Sequence, residues 1–111
     1  MPRINPVPSR LRQARLRAGL SQRNLGIRIG MDPGSASGRM NHYEKGRHSP
    51  DIDTLQRLAD ELNVPLNFFF CEDDISAELA CVIAAMTEEQ RKLLLQALKG
   101  EKKQKGDDLQ F

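Results

Sequence analysis

Two short helical patterns meet across Gly30 and Asp32-Pro33, and this pairing constrains the fold more than any other stretch of the chain. The first runs from Ser21 to Ile29 and the second ends at Glu44. Leu25 and Ile29 in one, and Met40 and Tyr43 in the other, recur at helical spacing and form the inward sides. Ser35, Ser37, Arg39, Asn41 and His42 are left facing elsewhere, and all are small or hydrogen-bonding. Two helices joined by a turn, presenting such a side in a basic half of the chain, point to an element that reads DNA.

The neighbouring stretches supply the rest of an all-α domain. Residues 1–8, MPRINPVP, carry three prolines and are expected to be a flexible leader, or an arm whose Arg3 reaches a phosphate or a minor groove. Ser9 caps a first helix from about Arg10 to Ala18, with Leu11, Ala14 and Ala18 on one side and Gly19 as the stop. Arg10, Arg12 and Arg17 fan outward, whereas Arg15 falls beside the buried stripe and needs an anionic partner. Gly26 lies mid-helix, where it costs about 1 kcal/mol relative to Ala. Close approach of the next helix explains it.

Asp32-Pro33 resembles a cap with proline at the first helical position, so the third helix is expected from about Pro33 to Glu44, closed by Lys45 and Gly46. Asp51 caps a fourth helix, Ile52 to Leu62, with Ile52, Leu55, Leu58, Ala59 and Leu62 inward and Asn63 at its end. Pro65 opens a short fifth helix whose Phe68, Phe69 and Phe70 cannot all enter one core. A sixth helix spans Ser76 to Met86 with Leu79, Val82, Ile83 and Met86 along one side. Thr87-Glu88-Glu89-Gln90 is a capping-box signature that opens a seventh helix to about Lys99, with Leu94, Leu95 and Leu98 inward and Gly100 as the stop. The domain plan is therefore a leader (1–8), a DNA-binding domain (9–70), a helical extension that completes the core or dimerises (71–99) and a disordered tail (100–111).

Charge agrees with this plan. Residues 1–50 hold ten Lys or Arg against Asp32 and Glu44, while residues 51–111 hold seven against thirteen acids. Such polarity suits a body with one side toward a polyanion and another toward water or a partner. No apolar run approaches the roughly 18 residues of a membrane span, and no secretory signal is visible, so a cytoplasmic protein is expected. Cys71 and Cys81 have no neighbouring ligands in metal spacing and are expected to be reduced, mostly buried thiols. Glycines 30, 34 and 38 lack the following Lys-Ser or Lys-Thr of a phosphate loop, and no activated nucleophile is apparent. No enzyme, cofactor or metal site is expected.

The opening LRQAR, the GLSQRNL entry to the second helix, the YEKG ending of the third and the close SPDIDTLQRLADELNVPLNFFF together resemble the phage-repressor and Cro-like (Xre) helix-turn-helix family, from about Leu11 to Phe70. The resemblance implies five helices, here with one or two more at the C-terminus. It implies an internal ion pair between Arg15 and Glu44. It assigns base reading to Ser37, Arg39 and His42, with Asn41 peripheral, and Gly38 allows close backbone approach. Gln22 matches the family's residue at the start of the second helix, where free N–H groups and the helix dipole meet a phosphate. Arg23, Lys45, Arg47 and His48 are phosphate candidates by charge and place. The chain departs from the family in a longer connection around Asp32 to Ser35, which leaves Ser35, Ala36 and Ser37 as alternatives for the first groove-facing position. The family implies a transcriptional repressor that binds a near-palindromic duplex as a homodimer. The rival is an antitoxin or restriction controller protein whose C-terminal half grips a protein partner.

Overall fold

The computed structural model describes residues 4–104, with side chains through Gly100. In chain order the helices are α1 (Val7–Arg17), α2 (Gln22–Arg28), α3 (Ala36–Glu44), α4 (Ile52–Leu62), a 3₁₀ helix (Leu66–Phe70), α5 (Asp74–Ala85) and α6 (Glu88–Gln104). Among the described residues there is no strand. The expected all-α architecture is what forms, with the fifth helix tightened to 3₁₀ geometry. The chain divides within α5 into one unit up to Cys81 and another from Val82.

In the first unit α2 packs on α3, α1 packs on α3 and on the 3₁₀ helix, and α4 packs on the 3₁₀ helix. Leu11, Leu25, Met40, Leu58, Phe68 and Phe69 are fully buried and form the centre of the core. Phe68 and Phe69 meet edge to face, 5.9 Å between ring centroids, while Phe70 stays half-exposed. One turn thus sends two of its three aromatics inward. Asn63 takes the left-handed conformation that ends α4.

Several expected boundaries move. α1 begins at Val7, so Val7 and Pro8 belong to the first turn of a helix and not to a leader. Proline is tolerated there because the N–H it lacks has no intrahelical partner anyway. The Asn5 side chain accepts from the Val7 N–H, and Ser9 donates to the Pro6 carbonyl from inside the first turn instead of capping. Residues 1–3 of the expected leader lie outside the described residues. Arg10 does not fan outward. It is buried, its Nε donating to the Cys71 carbonyl at 2.8 Å and its Nη1 to Gln13 and Asp74. Its guanidinium also lies 5.8 Å from the Phe68 ring centroid. Starting the helix three residues earlier puts Val7, Arg10, Leu11 and Ala14 on one stripe. Ala18 ends α1 exposed, and Ile52, at the first position of α4, is 60% exposed.

α5 buries Ala77 and Ala80, not the larger apolar side chains expected inward. Ala77 joins the core and Cys81 packs against it. Leu79, Val82 and Ile83 are exposed on the same helix, with Ile75. The helix has two apolar sides, and the one with small residues is the one that is buried. Both cysteines are free. Burial, with Glu78 adding to it, pushes the Cys81 thiol above its ordinary value.

In the second unit the Thr87–Gln90 capping box closes reciprocally: the Thr87 N–H donates to Gln90 Oε1 at 2.9 Å and the Gln90 N–H to Thr87 Oγ1 at 3.1 Å. α6 continues through Gly100 to Gln104, past its expected stop. Leu95 and Leu98, expected inward, are exposed, as is Leu93, while Leu94 is half-buried. The remainder of the expected tail lies outside the described residues.

Candidate nucleic-acid interface

α3 is positioned from below. Ala36, Met40, Tyr43 and Glu44 are its buried residues. At the start, Ala36 meets Gly26 of α2 so closely that a Cβ added to Gly26 would stand 2.8 Å from the Ala36 Cβ. The mid-helix glycine therefore exists for contact, as its sequence position predicted. Gly30, with φ +98°, supplies the left-handed turn after α2.

The expected start of α3 at Pro33 gives way to a turn. Asp32 Oδ2 accepts from the Gly34 N–H at 3.0 Å, and the Asp32 carbonyl accepts from the Ser35 N–H at 3.0 Å. This local capture closes Asp32-Pro33-Gly34-Ser35 on itself and delays the helix to Ala36. Ala36 is fully buried, so it is removed from the three alternatives left by the longer connection.

The end of α3 is held by charge. Arg15 Nε donates to Glu44 Oε2 at 2.6 Å and Nη2 to Oε1 at 3.0 Å, a bidentate pair with both residues buried. Arg15 Nη1 also donates to the Leu20 carbonyl, and Gln22 Nε2 donates to Glu44 Oε1 at 3.1 Å. Among the described residues, no buried side-chain nitrogen or oxygen lacks a partner.

On the outer side of α3, Ser37, Gly38 and Arg39 are exposed while Asn41 and His42 are half-buried. Gly38 and His42, a turn apart, are central; Ser37 and Asn41 flank them on one side and Arg39 on the other. A Cβ at Gly38 would meet nothing within 4 Å, so nothing in the described chain crowds this side.

The following loop folds back on the helix. Gly46 (φ +74°) donates to the Tyr43 carbonyl and the Arg47 N–H to the His42 carbonyl at 2.9 Å, a Schellman closure. His42 and His48 rings meet edge to face with centroids 4.9 Å apart, which sets the loop against the helix. Lys45, Arg47 and His48 are exposed there, as is Arg23 on α2. The Gln22 side chain turns inward: both of its N–H bonds go to Asn41 and Glu44.

Two contacts escaped the sequence. The His42–His48 pairing depends on how the loop closes, which spacing alone does not reveal. Arg10 carried a signal, three residues from Val7 and four from Ala14, that a helix starting at Arg10 hides. Among the described residues, no cluster of three His, Cys, Asp or Glu could hold a metal ion, and no helix is long and apolar enough to cross a membrane.

Comparison with known proteins places this architecture. A family described as helix-turn-helix matches residues 11–69. An uncharacterised HTH-type transcriptional regulator of Sinorhizobium medicae is 38% identical over 64 residues, covering 58% of this chain and 43% of the relative. The regulator ImmR of Bacillus subtilis is 28% identical over 67 residues, covering 60% of this chain and 50% of that one. The chain thus spans half or less of the length of these curated relatives. The crystal structure of the transcriptional regulator BswR superposes with a TM-score of 0.78 at 44% identity, covering 85% of this chain and 93% of that one. With α1 to α4, the 3₁₀ turn and a solvent-facing α3 in this arrangement, and a match over more than half its residues, the chain belongs to the helix-turn-helix family that its Xre- and Cro-like sequence resembles.

Proposed function

We propose that this chain is a sequence-specific regulator of transcription, a repressor, that reads the major groove of double-stranded DNA with α3. It binds a near-palindromic operator as a homodimer in the cytoplasm. Half-sites would lie about one helical turn apart, roughly 34 Å. The observation that carries this reading is the outer side of α3. Among the described residues it has Ser37, Gly38 and Arg39 exposed with Asn41 and His42 half-buried beside them, and it is flanked by the exposed cations Arg23, Lys45 and Arg47 with His48.

The roles divide by chemistry. A guanidinium pairs with the two acceptors of a guanine edge, so Arg39 is assigned a base. Ser37 and His42 can each read an edge, and Gly38 lets the backbone approach. Arg23, Lys45, Arg47 and His48, with the backbone N–H of Gln22, are assigned phosphates, which fix register without carrying sequence information.

Titration of the full chain against a selected duplex at several salt concentrations tests the division. Arg39→Ala should cost about 1–3 kcal/mol and relax preference at one base pair. Arg47→Ala should weaken all sequences alike and reduce the salt slope by about one. Identical behaviour of the two variants would contradict the assignment.

A second reading draws on the exposed apolar side of α5, where Ile75 and Leu79 lie one turn apart. The same surface would serve an antitoxin or controller protein that binds a different protein there. The chain expressed alone distinguishes them: a stable homodimer supports the repressor, and a monomer that copurifies stoichiometrically with a partner supports the rival.

A further inference from the structure

We infer that Gln22 sets the hydrogen-bonding polarity of Asn41, so that α3 presents an amide donor at this position and chooses a guanine edge by its acceptors. The inference rests on the DNA-reading role proposed above and moves Asn41 from the periphery of the site into base discrimination.

The chain of donors and acceptors starts at Arg15, whose guanidinium can only donate. Glu44, paired with it through both oxygens, can only accept. Glu44 Oε1 lies 3.1 Å from the Gln22 amide, so the group of Gln22 facing it is the NH2. The same nitrogen lies 3.2 Å from the Asn41 amide, so the atom of Asn41 facing it is the oxygen. Turning Gln22 over would set two oxygens against each other, and turning Asn41 over would oppose two NH2 groups. The buried charge pair thus dictates both amide orientations.

Asn41 Nδ2 is then the free end. It has no hydrogen bond among the described residues, and no buried side-chain nitrogen there is unpartnered, so it opens to solvent. It stands on the outer side of α3, one turn after exposed Ser37. An unconstrained asparagine pairs with adenine by accepting from N6 and donating to N7. Here the oxygen is turned inward to Gln22, and only the donor faces out. Guanine, with N7 and O6 both acceptors, matches it, and the N4 amino group of cytosine opposes it.

Selection of bound fragments from random duplex DNA tests this, using the full chain and two variants at one salt concentration. The wild-type motif should contain a guanine position that Asn41→Asp converts to cytosine, because a carboxylate accepts from cytosine N4. Gln22→Met keeps the length of the side chain and removes its NH2. At the same position it should admit adenine, lowering the preference for guanine on the order of tenfold. Asn41→Asp is half-exposed and keeps an acceptor toward Gln22, so it tests the inference even if Gln22→Met folds poorly. A motif unchanged by Asn41→Asp overturns the inference. So does a Gln22→Met protein that loses affinity equally for every sequence, which would place Gln22 on the DNA backbone. In both cases the regulator reading stands, because the wild type has selected a motif. A wild-type chain that selects no duplex sinks that reading and this inference together.

Discussion

Glu44 shows how much one side chain can organise. Its carboxylate takes three hydrogen bonds, two from Arg15 on α1 and one from Gln22 at the start of α2, and so ties both to the end of α3. Removing it strands a buried guanidinium, and Glu44→Ala should lower stability by about 3–5 kcal/mol. Glu61 lies 3.5 Å from Arg28 in a partly exposed pair. Its loss should cost less than about 1 kcal/mol. Urea unfolding midpoints check this, and equal midpoints for the two variants would contradict it. The pair was legible only by resemblance: spacing placed Arg15 on a buried stripe but named no partner. Asp51 makes a different kind of prediction. Hydrogen bonding to Thr54, through its side chain and then through its backbone N–H, which donates to the Asp51 carboxylate at 2.8 Å, holds the Asp51 carboxyl below the ordinary value of 3.8. A folded-state pKa below the unfolded one means that the cap stabilises fully above 3.8 and fades as pH falls through the lowered value. The stability gap between wild type and Asp51→Ala should therefore be steady near neutrality and close in acid. A gap unchanged well below 3.8 would contradict it.

At the scale of elements, the contact between α2 and α3 decides where the outer side of α3 points. Gly26→Ala would push a methyl group to 2.8 Å from the Ala36 Cβ and 3.0 Å from Met31 Sδ. Overpacking of this kind should destabilise by about 1–3 kcal/mol. It should also weaken duplex binding, because α3 shifts on its support. A Gly26→Ala protein with wild-type melting would contradict the close approach. This glycine, the capping box at Thr87 and the left-handed Asn63 were legible because each is a local rule with one solution. The elements that moved were those where two local rules compete. Asp32-Pro33 can open a helix or close a turn, and capture of the Gly34 N–H by the aspartate decides for the turn. The prolines at 6 and 8 exclude a helix interior but not a first turn. In α5, periodicity found an apolar stripe but could not say that Ala77 and Ala80, on another side, would be the buried ones.

At the scale of the whole molecule, the basic half of the sequence contains α1 to α3 and the loop after them, and the acidic half begins with α4. The outward residues of α3 were legible from sequence because they are what remains once the inward ones are assigned. The amide orientations were not, since they depend on a charge pair between residues 29 positions apart. In the proposed homodimer the second copy would sit on the exposed apolar side of α5, where Ile75 and Leu79 lie. Sedimentation equilibrium should find a dimer, and Leu79→Glu should yield a folded monomer with weakened duplex binding. A wild-type monomer at all accessible concentrations would remove the homodimer. In the proposed complex, α3 and the loop after it meet duplex DNA. Backbone amide shifts of the isotopically labelled chain, recorded as a selected duplex is added, test it most directly. The amides from Ser37 to His42 and from Lys45 to His48 should move or broaden as complex forms. Tight binding that leaves these amides in place, with the changes confined to α5 and α6, would rule out α3 as the reading element.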